Sequence, residues 1–418
     1  MSAVAKQPFR LAYFASHPIQ YQAPLLRYLA ADDHLDLTAF FYSDFSLRQH
    51  LDPGYGVEFK WDVPLVQGYK HEFLKRLGGG GALERKPWVP ARGLKRLLRD
   101  GKFDAVWVHG WAHACSLQAM RAARSLGLPV LVRGESVPDR LSRSGRRSWL
   151  VRQCQRAVLR RAQAFLSIGA NNCAFYAQNG VPPERLFLVP YAVDNEFFRR
   201  KAAEARPRRE AQRSELSLEP GRTVILFAGR LAEVKAPDLL LEAISLLTKD
   251  FTRHAKLPHL LFVGDGPMRA ELEEKAHVLP EGLVHFLGFR NQTELPALYD
   301  LCDLFVLPSR FEPWGLVVNE VMNAGRPMIV SDRVGAGPDL VQAGLNGWIY
   351  SHDDACALAG CLREALADPQ RLQEMGRRSL ERVRTWDFEA DRRGLLEALA
   401  TTCRASAAAE KVCAGQAT

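Results

Sequence analysis

SRFEPWGLVVNEVMNAGRPMIVSD, residues 309–332, decides the reading of this chain. It follows an apolar strand, LFVLPS (304–309), and opens into a helix. Glu312 and Glu320 stand eight positions apart within it. Pro313 suits a first helical position, where no backbone N–H is needed. Gly315 lets a ligand approach the free N–H groups of the first turn, which attract phosphate. Glu320 lies a turn further in, where a carboxylate can take both hydroxyls of a ribose. One strand-to-helix junction thus offers a phosphate seat, a ribose acceptor and a spare carboxylate, a combination that reads as a nucleotide-sugar site.

Working outward, the 418 residues suggest two to three domains with substantial cores. A composition 47% hydrophobic and 25% charged is ordinary for a soluble globular protein. No apolar run approaches the ~18 residues of a transmembrane helix. The first residues, MSAVAKQPFRLAYFAS, lead straight into a strand without an h-region and cleavage site. Eight cysteines without a C-x-x-C pair read as reduced, packed thiols of a cytoplasmic protein, and zinc is not expected. The net charge of +9 is uneven: residues 1–200 hold 29 Lys+Arg against 16 Asp+Glu, so the basic first half faces an anionic surface or acceptor.

Short strand-like runs alternate with helical patterns, the signature of parallel βαβ units. The first half offers RLAYFAS (10–16), LDLTAFFYS (35–43), FDAVWVHG (103–110), PVLVRGES (129–136), AFLSIG (164–169) and LFLVPYAV (186–193). The second offers TVILFAGR (223–230), HLLFVGDG (259–266), LVHFLGF (283–289), LFVLPS, PMIVSD (327–332) and GWIYS (347–351). Each half makes one doubly wound sheet, with ligands outside the carboxyl ends of its strands. The expected division is a domain over 1–198, a second over 199–385 beginning in a charged linker, a helix over 386–404, and a disordered tail over 405–418. The run GGGG (78–81) is a loop and not a P-loop, since no G-K-[ST] follows.

E-x7-E after a strand, with G-L behind the first Glu and a small-residue turn before P-M-I-V, resembles the retaining glycosyltransferases of family 4, the "group 1" transferases of GT-B fold. VILFAGRLAEVKAPDLLLEAISLL (224–247), LLFVGDGPMRAELEE (260–274) and VHFLGFRNQTELPALYDLCDLFVLPS (284–309) fall in the family's order and spacing. The resemblance implies two Rossmann-like domains facing across a cleft, with residue 386 onward crossing back to the first. It implies a retaining transfer from a nucleotide-diphosphate sugar, such as a UDP-sugar, to a hydroxyl of a glycan or lipid-linked acceptor in polysaccharide biosynthesis. No metal or other cofactor is then required, because Arg230 and Lys235 oppose the diphosphate. Glu320 takes the ribose and Glu312 the transferred sugar or reacting centre. The N–H groups of Gly315, Leu316 and Val317 hold the distal phosphate. Gly264 and Gly266 lie along the nucleotide rim, and Gly288 and Phe289 lie near the base.

The acceptor half departs from the family pattern. SHPIQYQAPLLRYLAA (16–31) places His17, Gln20 and Tyr21 where many relatives carry a glycine-rich turn. Arg133, Gly134 and Glu135 follow a strand where many carry a functional His, and the charged pair suggests a cleft role. His109 is the candidate for an acceptor or sugar contact, its imidazole able to take a proton near neutral pH. Residues 140–161 hold eight arginines and no acid, with Trp149, Leu150, Val151, Val158 and Leu159 as an apolar stripe. Such a helix suits an anionic membrane surface. A sugar-nucleotide epimerase on the same fold is the alternative enzyme. Nucleic-acid binding is the alternative without chemistry, but no aromatic-basic recognition motif supports it.

Overall fold

The computed structural model describes residues 7–52, 54–76, 90–111, 113–138, 146–250 and 257–415. The expected loop at 78–81 and the start of the basic stretch, 140–145, lie outside these residues. In chain order the strands of the first half are β1 (Phe9–Ala15), β2 (Leu35–Phe41), β3 (His50–Asp52), β4 (Val57–Phe59), β5 (Lys70–Phe73), β6 (Ala105–His109), β7 (Val130–Arg133), β8 (Ala164–Ser167) and β9 (Leu186–Leu188). Those of the second are β10 (Val224–Ala228), β11 (His259–Val263), β12 (Val284–Gly288), β13 (Leu304–Leu307), β14 (Met328–Ser331) and β15 (Gly347–Tyr350).

Two compact units result. The first comprises 1–48, 64–191 and 388–418, and the second 49–63 and 192–387. The first holds a parallel sheet in the order β5-β2-β1-β6-β7-β8-β9. The second holds a parallel sheet in the order β12-β11-β10-β13-β14-β15. Both are Rossmann-like: the order runs outward from the first strand and then reverses, so a crevice opens at the carboxyl ends between β1 and β6, and between β10 and β13. Continuous apolar runs explain the central strands. Every residue of β10, β11 and β13 is buried, as helices on both faces of a parallel sheet demand. The antiparallel pair β3–β4 belongs to the second unit, and neither it nor the edge strand β5 was foreseen.

The last helix, Phe388–Gly415, packs on β8 and β9 of the first sheet. Its backbone runs on to Gly415, through most of the stretch from 405 that the sequence reads as a tail, where Ala405 and Ala407–Ala409 favour helix. Arg133 is fully buried, not set in a cleft. Its Nη2 donates to Asp391 Oδ1 of the last helix at 2.8 Å and to the carbonyls of Val189 and Pro190 at 3.1 and 2.6 Å. The rings of Trp107 and Tyr191 flank the guanidinium at 5.9 and 5.1 Å.

The helix Arg146–Leu159 divides the apolar stripe read from sequence. Trp149, Leu150 and Val151 are exposed, whereas Leu159 is buried and Val158 packs against the core. Three consecutive residues cannot share one helical face. No helix among the described residues is long and apolar enough to cross a membrane.

Removing one member of a buried pair leaves the other charge uncompensated. Asp391→Ala should therefore destabilise the first unit by about 3–5 kcal/mol in urea unfolding at neutral pH. An unchanged midpoint would show that Arg133 does not need this partner.

Candidate functional site

Most of the sequence-predicted site residues of the second half collect at the carboxyl ends of β10, β11, β12 and β13. Beyond β10 the chain passes Arg230 and enters a single turn of 3-10 helix, Glu233–Lys235. Beyond β13 it runs through Arg310 to Glu312, whose backbone pairs with the loop after β14. Glu312 N donates to Arg333 O at 3.2 Å, and Gly335 N donates to Glu312 O at 2.9 Å. The helix then begins at Leu316, with Gly315 as its N-cap. Pro313 thus precedes the helix instead of starting it, because residues 312–314 are held extended against 333–336.

Lys235 Nζ and Glu312 Oε2 form an ion pair across the crevice between β10 and β13. Both groups are largely buried, with side-chain exposures of 26% and 12%. The backbone at Gly315 has φ 93°, and a Cβ there would meet the Glu312 side chain at 3.1 Å and Leu307 at 3.2 Å. Only glycine fits this junction without strain. The first-turn amides of Leu316 and Val317 are free of partners inside their own helix by geometry, as at every helix start.

Sequence reasoning missed Arg310. Its Nη groups donate to both oxygens of Asp238 at 3.0 and 2.9 Å, and its Nε to Asp353 at 2.6 Å. Hydrogen bonds and the charge of Asp238 raise its pKa, so it stays cationic. It locks the loop after β13 onto the start of the helix Pro237–Asp250. The only signal was an arginine directly after an apolar strand; its partners lie 72 and 43 positions away.

Glu320 lies deeper. It is 2% exposed, and its Oε2 accepts from the Tyr299 hydroxyl at 2.6 Å. Burial pushes its pKa up to about 7, against the opposing hydrogen bond from Tyr299. Trp314 Nε1 donates to Asn319 Oδ1 at 3.0 Å, and Asn323 to Asn195 at 2.7 Å, fixing the rotation of the helix that carries Glu320.

Arg230 is 41% exposed and lies against the β3–β4 hairpin. Asp52 Oδ1 stands 3.6 Å from it, the Tyr55 ring 5.2 Å, and the backbone of Gly54 beside it. Phe289 stacks on Phe59 at 4.4 Å and meets Tyr55 edge-on at 5.3 Å. Burial raises the Tyr55 pKa; Arg230 lowers it, and Asp52, Glu320 and Glu312 raise it further. The phenol thus feels the charges of all four groups. Gly264 is structural: its φ is 133°, and a Cβ would fall 1.9 Å from Gly229 O. Gly266 likewise presses on Leu231 O. Both seal the loop after β11 onto the loop after β10. Gly288 ends β12 with φ 71° beside Arg269.

In the first unit, His109 ends β6 across the switch point from His17, which follows β1. Burial, then Arg133 and His17, push the His109 pKa down to about 3. The ring is therefore neutral at pH 7 and a far weaker base than expected near neutral pH. Its Nδ1 has no hydrogen-bond partner among the described residues. Glu135 is exposed and accepts from the Tyr191 hydroxyl at 2.5 Å. His17 Nδ1 lies 2.9 Å from Ser16 Oγ, its ring 4.4 Å from Phe45.

Comparisons with known proteins follow the two units. Residues 208–382 match the family described as "Glycosyl transferases group 1", and residues 18–192 match the "Glycosyl transferase 4-like domain". The chain is 29% identical over 198 residues to an alpha-D-kanosaminyltransferase of Streptomyces kanamyceticus, covering 47% of this chain and 48% of that one. It is 28% identical over 320 residues to D-inositol 3-phosphate glycosyltransferase 1 of Catenulispora acidiphila, covering 71% and 72%. The chain spans about half the length of the first two curated relatives it matches. Among solved structures, Anabaena HepE in complex with UDP and glucose superposes with a TM-score of 0.68 at 16% identity, covering 94% of this chain and 100% of that one. Sucrose-phosphate synthase from Thermosynechococcus elongatus gives 0.68 at 19%, covering 95% and 100%.

The raised Glu320 pKa has a definite sign. The folded state holds this proton up to about pH 7, whereas the unfolded chain releases it near the model-peptide value of 4.5. Stability is full below pH 4.5 and falls as pH rises through 7. Glu320→Gln should abolish that fall, gaining roughly 2–3 kcal/mol over the parent at pH 8 relative to pH 4 in denaturant titrations. Parallel pH profiles for the two proteins would contradict it.

Proposed function

We propose, for a chain that belongs to the group 1 glycosyltransferases and has their GT-B architecture, that it moves a sugar from a nucleotide-diphosphate donor to a hydroxyl acceptor with retention of configuration. The observation that carries this reading is the Lys235–Glu312 pair at the switch point between β10 and β13, beside a glycine-capped helix start. A fixed cation and a row of backbone N–H groups there suit a developing diphosphate charge.

In this reading Arg230 and Lys235 oppose the leaving diphosphate, and the N–H groups of Gly315, Leu316 and Val317 bind the distal phosphate. These side chains do the work that a metal does in other transferases, so no metal is needed. The donor takes Lys235 as a partner, which frees Glu312 to orient the transferred sugar. Glu320 accepts the ribose hydroxyls as the carboxylate, the form that dominates only above pH 7. The base stacks on Phe289, beside the Gly264–Gly266 rim and Gly288. His109 is too weakly basic to deprotonate the acceptor and serves as a neutral contact. The departing phosphate oxygen takes the acceptor proton on the face being attacked.

The acceptor is a glycan or a lipid-linked saccharide, and the chain works in the cytoplasm on biosynthesis of such polymers. Seven described cysteines are free, which fits a reducing compartment. Exposed Trp149, Leu150 and Val151, with Arg152 next to them, give this surface the character of an interfacial anchor. The Lys235–Glu312 pair beside the glycine-capped helix start is what favours the transferase over the epimerase and nucleic-acid readings.

Arg230→Ala and Lys235→Ala should each lower kcat by ~10²–10³, the cost of removing one preorganised donor to a developing anion. Assays with UDP-, GDP- and ADP-sugars identify the base, and an unchanged kcat in both variants removes the assignment. A Trp149→Ala, Leu150→Ala double variant should lose most of its co-sedimentation with vesicles of phosphatidylglycerol while keeping turnover of a soluble acceptor. Equal sedimentation would exclude this surface as the anchor.

A further inference from the structure

The second sheet has a charged cavity at its other end. All its strands run parallel, so their starts lie on the edge opposite Lys235 and Glu312. A cavity of about 430 Å³ opens there, between the linker helix Arg209–Glu215 and the starts of β10, β13 and β14. Its size is within the usual range of small-molecule sites.

Four guanidinium groups line it: Arg209, Arg213, Arg222 and Arg326. Their side-chain exposures are 22%, 8%, 16% and 13%. Two carboxylates share the lining, Asp303 and Glu210. Asp303 is already saturated. Its Oδ1 accepts from Arg209 at 2.5 Å, its Oδ2 accepts from Val224 N at 2.9 Å, and Arg213 Nη1 stands 3.6 Å from Oδ2. Arg326 is held from behind, its Nη2 donating to the carbonyl and Oδ1 of Asp300 at 2.7 and 2.9 Å. Arg222 donates to Glu219 at 2.9 Å. The Nε groups of Arg222 and Arg326 are buried and have no hydrogen-bond partner among the described residues. Burial lowers the Arg326 pKa; Cys302, Asp300 and Asp303 oppose this and Arg209 adds to it.

The lining sets four guanidinium groups against two carboxylates, and the further partners Glu219 and Asp300 hold Arg222 and Arg326 from outside it, so the donors facing the space outnumber the acceptors there. Planar forks converging from several directions fit the tetrahedral oxygens of phosphate better than a single carboxylate. Leu372, Pro327 and Pro369 supply an apolar wall for whatever bears the phosphate.

We propose that this cavity is a second, donor-independent site for a phosphate dianion, either free or as a phosphomonoester, held by Arg209, Arg213, Arg222 and Arg326 at the strand starts of the second unit. Bound there, the anion draws the linker helix onto the sheet edge, so the site stabilises the fold without touching the residues assigned to the donor.

Calorimetric titration of the full chain with inorganic phosphate and with glycerol 3-phosphate, at constant ionic strength, tests it. Sedimentation with vesicles containing phosphatidic acid separates a lipid headgroup from a soluble ester. Arg209→Gln and Arg326→Gln should each bind phosphate roughly tenfold or more weakly, as expected for a lost charge-assisted hydrogen bond. An Arg230→Ala, Lys235→Ala double variant should keep this binding event, losing only any separate phosphate uptake at the donor end. If Arg326→Gln fails to fold because Asp300 loses a partner, the more exposed Arg209→Gln, checked by circular dichroism, decides alone. Undiminished binding in Arg209→Gln, or loss of binding only in the donor-end double variant, overturns the proposal.

Discussion

The second unit is organised around the ion pair between Lys235 and Glu312. The lysine arrives on the loop after β10 and the carboxylate on the loop after β13, the two strands at which the sheet order reverses. A pair this poorly solvated is held only where both backbones are fixed beforehand. The fixing is visible on each side. Arg310 ties its loop to Asp238 at the start of the next helix, and the backbone of Glu312 is clasped by residues 333–335. The glycine seal between the loops after β10 and β11 completes the rim. Cation, carboxylate and helix start are therefore one preorganised assembly.

Much of that assembly was legible in the sequence, because it is written locally. Strand, glycine and helix follow one another within 309–332 and again within 224–247, and continuous apolar runs gave both sheets. What stayed hidden was tertiary. Tyr299 as the partner of Glu320 comes from another helix, and Arg310 finds its acids far along the chain. Burial, which no spacing reveals, moves Glu320 up to about 7 and His109 down to about 3. The start of the helix was misplaced for a related reason. Proline suits a first turn, but here a parallel bridge to Val334 keeps residue 312 extended.

The first half was read less well, and the cause is again physical. Arg133 looked like a cleft residue because an arginine at a strand end is seldom core. It is core here, since an aspartate from the end of the chain neutralises it and two aromatic rings cover it. The hairpin over 49–63 reads as loop in the sequence, with two three-residue strands too short for a periodic signal. It nevertheless brings Tyr55 and Phe59 to the side chains of Arg230 and Phe289. Residues separated by more than 150 positions thus share one aromatic cluster.

The Arg133–Asp391 clasp also bears on the order of biosynthesis. The strand carrying the arginine leaves the ribosome more than 250 residues before its aspartate does. Until Asp391 is made, this cation of the interior lacks the carboxylate that pairs with it in the folded chain. The second unit is mostly contiguous in 192–387, whereas the first draws on 388–418 as well, so its contacts are complete only once the helix Phe388–Gly415 has been made.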